Sequence, residues 1–247
     1  MEHHPHKIPE GGMYMQKRNG WLLAYILTIA GALISVHWGN RAVTVIAENM
    51  PIPRANCIVI DPGHGGVDGG ATSCTGRLEK EYNLEIACRL EDTLKLLGYR
   101  TEMTRRTDES IHTEGETIAQ KKLSDLKERV RIVNESQHSI LISIHQNLFP
   151  ESRYRGAQVF YGKAYGSLDL AAHLQSKIIQ HLNPGSHRKA KECTGVYLMD
   201  RIQCPGILVE CGFISNPAEE KLLSDPEYQK KLCCIIASSL DHFLAQT

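Results

Sequence analysis

Four short apolar runs constrain what this chain can fold into. CIVI (57–60), SILISI (139–144), AQVFY (157–161) and GILV (206–209) have the length and make-up of buried strands. Three of them run into a polar group: CIVI into DPGHGG with its His64, SILISI into His145, and GILV into Glu210. Helix-like stretches lie between them, and that alternation predicts an α/β fold. The expectation is a single three-layer domain over 56–247, with a mostly parallel or mixed sheet of about six strands flanked by helices.

The helical stretches can be read from spacing. From about Glu79, residues Tyr82, Ile86, Leu90, Leu94 and Leu97 recur on one face before Gly98 supplies a stop. YRTEMT (99–104) alternates as a strand. Residues 105–122 are polar and unpatterned, which predicts a surface loop near the site. Ser124 is expected to cap a helix carrying Leu126, Val130 and Val133, and Ser167 one carrying Leu174, Ile178 and Leu182. VYLM (196–199) reads as a further strand. Asn216-Pro217 and Asp225-Pro226 each predict a cap with proline in the first turn; the second opens a final helix through Leu232, Ile236 and Leu240.

The N-terminus is a different kind of sequence. WLLAYILTIAGALISVHWGN (21–40) contains no Asp, Glu, Lys or Arg and follows Lys17-Arg18. At ~1.5 Å per residue it reaches ~30 Å, the thickness of a bilayer core. The expected layout is a polar cytoplasmic tail (1–20), a membrane anchor or signal segment (21–40), a linker (41–55) and an extracytoplasmic domain. Lysine plus arginine equal aspartate plus glutamate at 28 each, so no basic field marks a nucleic-acid partner. The eight cysteines form no CxxC pair, and Cys57, Cys88, Cys211, Cys233 and Cys234 read as small buried apolar residues.

Ligands gather at the carboxyl ends of strands in open α/β sheets, so His64, His145 and Glu210 are expected to share one crevice. Two histidines and one glutamate make a metal-ligand set that leaves a position open for water. Glu79, Glu81 and Glu85 compete for the glutamate place. Glycines at 63, 65, 66, 69 and 70 would let the first loop fold tightly. Neither GxxxxGK[ST] nor GxGxxG is present, which argues against a phosphate loop.

IDPGHGGVDGGA, LEKEYNL, TRRTD, ISIHQN, RGAQVFY and GILVECGFISNP, in that order over about residues 56–245, resemble the zinc-dependent N-acetylmuramoyl-L-alanine amidases that cut bacterial peptidoglycan. Within that family the chain is most similar to the germination-specific branch of endospore formers. The resemblance implies one Zn²⁺ held by His64, Glu79 and His145, with Glu210 as catalytic base and then acid. Asp61, Asp68, Asn147, Arg105 and Arg155 are candidates for orienting ligands or meeting substrate, and Arg188, Lys189 and Lys191 form a basic loop. Arg129 reads as a structural ion-pair partner.

The implied substrate is a glycan strand bearing stem peptides. The implied setting is the spore cortex, between mother-cell and forespore membranes, with a deacetylase acting next toward muramic-δ-lactam and an accessory activating protein conceivable. Leu148, where the family usually has a small residue, and Cys211 depart from the pattern. The rival readings are a membrane-tethered wall-binding protein without hydrolase activity and a zinc peptidase or deacylase of other amide specificity.

Overall fold

Period-two alternation along the central strands decides which layer each side chain joins. The computed structural model describes residues 56–246 together with Thr28, Gly31, Ile34 and Ser35. Six strands, β1 (Cys57–Pro62), β2 (Arg100–Met103), β3 (Ser139–Asn147), β4 (Gln158–Tyr161), β5 (Lys191–Glu192) and β6 (Gly206–Phe213), form one sheet in the order β2-β1-β3-β6-β4-β5. The first four of that order run parallel, whereas β4 is antiparallel to β6 and parallel to β5. Five helices flank the sheet: α1 (Glu79–Leu96), α2 (Ile118–Glu135), α3 (Ser167–His181), α4 (Pro217–Leu223) and α5 (Pro226–Leu244).

Ile58, Ile60, Ile142 and Val209 point to one face and pack with residues of α1, α3 and α5, among them Leu90, Leu174 and Leu240. Their neighbours Val59, Leu141 and Leu208 point to the other face, where Val133 of α2 and the segment Leu198–Ile202 cover them. The result is three layers. Fully burying each such aliphatic side chain stabilises the fold by about 1.5–3 kcal/mol, so both faces of the central strands must be apolar. That is why their sequence shows runs rather than alternation.

The predicted caps at Asn216 and Asp225 are present, each side chain accepting from the first-turn N–H groups. Three other local expectations need correction. Helix α2 starts at Ile118, not at Ser124. Thr117 caps it, accepting from Gln120 N while Gln120 Oε1 accepts from Thr117 N, and Ser124 instead accepts from Thr113 N and Glu114 N. The α2 first turn (118–121) faces solvent, with even Ile118 exposed, so it carries no apolar stripe to read.

Helix α3 is capped by Gly166 at φ +86°, and Ser167 Oγ accepts from Gly206 N instead. VYLM is a turn, held by Gly195 N donating to Asp200 Oδ2 and by Ile202 N donating to Leu198 O. The strand of this region is the two-residue edge β5, whose residues are polar and exposed.

Cys57, Cys211 and Cys233 are buried as expected, while Cys88 is half-buried and Cys234 exposed; all eight thiols are free. The tail 1–20, the apolar segment 21–40 except for the four residues named above, and the linker 41–55 lie outside the described residues. Among the described residues no helix is long and apolar enough to cross a membrane.

Candidate metal centre

From β1 the chain passes to β2 on one side of it, and β3 lies on the other. Diverging connections of this kind open a crevice at the carboxyl ends of the strands. His64 stands two residues beyond β1, His145 near the end of β3, and Glu210 is the direct ladder partner of His145 on β6. The crevice between β1 and β3 has a volume of about 180 Å³ and includes Gly63, His64, Asp68 and His145 in its lining, with Lys122 and Tyr197 on its walls.

At Gly63 and Gly70 the atoms of the cluster itself occupy the space a Cβ would need. At Gly63 a Cβ would lie 2.2 Å from His145 Cε1 and Nε2. At Gly70, φ +67°, it would lie 2.6 Å from Glu79 Oε2 and 2.7 Å from His64 Cδ2. His64 itself has φ +62°, a left-handed conformation that costs a non-glycine residue on the order of 1–3 kcal/mol.

Two buried arginines hold it there. Arg105 Nε and Arg129 Nη2 each donate to the His64 carbonyl at 2.7 Å. Both also reach the Pro62 carbonyl, and Arg105 Nη2 and Asn83 Nδ2 share that of Gly63. Arg129 is fixed in turn by Asp125 and Asp61. Burial would raise the Asp61 carboxyl, but the Arg129 guanidinium, with hydroxyls from Ser143 and Thr104, brings it down to about 2.

His64, Glu79 and His145 each offer one ligand atom, and these atoms lie within 4.8 Å of one another. Glu79 is the first residue of α1. Its Oε2 lies 3.2 Å from His64 Nε2 and accepts from Ala71 N; its Oε1 lies 3.1 Å from His145 Nδ1 and accepts from Gln146 N. Burial works to raise this carboxyl, yet the two imidazoles hold it well below the usual carboxylate range. Asp68 Oδ2 accepts from His64 Nδ1 at 2.9 Å, leaving the other ring nitrogen toward Glu79. Burial would lower His64, but Asp68 and Glu79 lift it to about 9. The pocket is built for positive charge, and the two-imidazole, one-carboxylate donor set fits a divalent metal cation.

Glu210 is treated in the opposite way. It is half-buried, its Oε2 is closed off from solvent with no hydrogen-bond partner among the described residues, and desolvation pushes its pKa up to about 7. It lines a second depression with Phe160 and Thr194; Val196 and Leu208 line both that depression and the histidine crevice.

The remaining sequence candidates fall in several places. Glu81 and Glu85 both pair with Arg77, so neither joins the cluster. Asp68 contacts His64 of the cluster directly, whereas Asp61 acts on the loop through Arg129. The Arg105 side chain donates to five carbonyls: those of Pro62, Gly63, His64, Lys80 and Thr107. Asn147 is half-buried two residues beyond His145, and Arg155 is exposed in a separate depression with Asn183 and Glu219. Sequence reasoning missed Asn83 and Gln146, which hydrogen-bond to each other behind Glu79. Asn83 sits one helical turn after Glu79, a spacing that places both on one face.

The profile of the N-acetylmuramoyl-L-alanine amidase family matches residues 58–242. The chain is 40% identical over 192 residues to the germination-specific N-acetylmuramoyl-L-alanine amidase of Bacillus subtilis, covering 76% of this chain and 80% of that protein. Among solved structures it is similar to the CwlD amidase of Clostridioides difficile in complex with the GerS lipoprotein, with TM-score 0.74 and 34% identity over 77% of this chain and 99% of that one. The amidase AmiC2 of Nostoc punctiforme gives TM-score 0.65 and 27% identity over 78% and 99%.

Proposed function

The chain belongs to the N-acetylmuramoyl-L-alanine amidase family, and from that membership we propose that it hydrolyses the amide between N-acetylmuramic acid and L-alanine in spore-cortex peptidoglycan, using one zinc ion. His64, Glu79 and His145 would hold the metal. Zinc in such a site supplies Lewis acidity, which makes water nucleophilic near neutral pH and polarises a carbonyl. The residues do the rest. Glu210 accepts the proton of the attacking water on its carboxylate and passes it to the departing amine of L-alanine. In the metal-free site desolvation raises this carboxyl, the direction that suits a group that must both take and give a proton.

The observation that carries this reading is the pairing, across the β3–β6 ladder, of a histidine of the cluster with a half-buried carboxylate whose solvent-shielded Oε2 has no partner among the described residues. The setting follows from the relatives. The germination-specific B. subtilis protein supports a role in germination, and the C. difficile complex supports an accessory lipoprotein; action on the cortex ahead of a deacetylase is part of the proposal. The domain would work outside the cytoplasm, with residues 21–40 as its membrane segment.

Mass spectrometry of peptidoglycan incubated with the full-length zinc-loaded chain and with Glu210→Gln tests the reading. Free stem peptides should appear with the wild type and fall by about 10²–10⁴-fold with the variant, while both retain zinc. Products cut within the stem peptide, or deacylated sugars with the stem in place, would overturn it.

A further inference from the structure

Three large side chains beyond β3 stay exposed although the segment that carries them is firmly held. Leu148, Phe149 and Tyr154 are 44%, 41% and 36% exposed. Phe149 N donates to Ser215 Oγ at 3.1 Å, and Asn216 Nδ2 donates to the carbonyls of Ser152 and Tyr154. Within the loop the Phe149 and Tyr154 rings meet edge to face at 4.5 Å, and Tyr154 leans on Phe213 at 6.3 Å. The Arg153 guanidinium lies 5.5 Å from the Tyr154 ring centre. A segment tied at both ends and stacked internally presents its apolar surface as a fixed shape, and an exposed apolar patch with a polar rim marks a binding surface.

We propose that Leu148, Phe149 and Tyr154 form a subsite for the glycan strand, on which a pyranose ring of an N-acetylhexosamine packs its apolar face. The proposal rests on the peptidoglycan amidase reading. Position supports it: Phe149 is four residues beyond His145, so their Cα atoms are at most about 14 Å apart. Phe213, under Tyr154, is three residues beyond Glu210 on β6. A glycan strand whose muramic acid sits at the metal must place neighbouring sugars on the surface within that reach.

Size also favours sugar over protein. The three side chains together expose on the order of 250 Å², against the roughly 800 Å² per partner that a stable protein interface buries. The Phe149 ring, braced edge to face on Tyr154, suits the C–H face of a pyranose ring, and Arg153, which lies over the Tyr154 ring, suits the hydroxyls at its rim.

The test is cosedimentation of the full-length chain with peptide-free glycan strands, which needs no hydrolysis, followed by kinetics. Phe149→Ala should weaken retention about tenfold with unchanged melting temperature, and Phe149→Trp should restore it. On stem-bearing strands Phe149→Ala should raise KM about tenfold at unchanged kcat, yet leave hydrolysis of a single-sugar muramoyl peptide unaltered. Unchanged retention, or an equal loss on both substrates, would overturn the subsite. So would intact retention accompanied by weaker association with a lipoprotein partner or a second copy of the chain, which would make the patch a protein interface. Glycan retention that depends on Phe149 with no stem-peptide release by any form would keep the subsite and sink the amidase reaction instead.

Discussion

Glu79 and Glu210 both neighbour His145, under opposite conditions. Glu79 takes two backbone N–H groups and two imidazoles, and stays ionised although it is buried. Glu210, beside His145 on the next strand, keeps one oxygen without a partner, and burial pushes it up to about 7. The difference teaches that partners, rather than burial, decide which carboxylate carries fixed charge and which can exchange a proton. Pairs of acids whose surroundings drive their pKa values apart are how a site separates such duties.

The largest effect should come from erasing the charged member. Glu79→Ala removes the group that links the two histidines and leaves no carboxylate in the cluster. Zinc affinity should fall by more than about 100-fold and stem-peptide release should be lost, read by metal analysis after gel filtration and by product release. Glu210→Gln should keep its zinc. If both variants lose metal alike, the two carboxylates do not divide the work and the contrast collapses.

A second effect sharpens the contrast through stability. The Glu210 carboxyl moves from an ordinary 4.5 up to about 7 on folding, so between those pH values the folded protein holds a proton that the unfolded chain has released. Glu210 therefore costs nothing below pH 4.5, and stability is lost as pH rises through the window. At 1.4 kcal/mol per pKa unit the full penalty is about 3 kcal/mol. In zinc-free protein, Glu210→Gln should unfold at higher urea than wild type at pH 8 and at nearly the same urea at pH 4.5. Parallel pH curves for the two proteins would show that Glu210 is not desolvated.

Legibility in the sequence followed the physics of each part. The strands that carry the site were readable because burial on both faces demands unbroken apolar runs, and their polar ends could only lie at the sheet edge. Helix α1 was readable from its apolar stripe. The start of α2 and the edge strand β5 were not, since both face solvent and carry no apolar stripe. VYLM misled because its apolar side chains cover the sheet from a turn rather than from a strand.

At the site, residue types and order pointed to the histidines and to Glu210. The arginine clamp was hidden, because donors to backbone carbonyls leave no pattern in the acceptor's sequence. Arg105 stood out as a charge near the site, and only the fold places its guanidinium beneath the loop. The glycines were legible as a demand for space, though not as space for particular rings.

The smallest of these effects separates two means of aiming His64. The clamp of Arg105 and Arg129 fixes its backbone, while Asp68 fixes its ring by accepting from Nδ1. Lys122 Nζ lies 3.1 Å from the same Asp68 oxygen, so that carboxylate is shared between the ring and a half-exposed cation. Asp68→Asn keeps the shape and one acceptor oxygen but removes the charge. Losses of about 10–100-fold in metal affinity are usual when such an orienting partner is changed. Competition with a chromogenic chelator should therefore show weaker zinc binding by that factor, with kcat near wild type once zinc saturates. Unchanged affinity would mean that the strained, clamped backbone alone aims the ring, and that the work of holding the ligand lies in the two arginines.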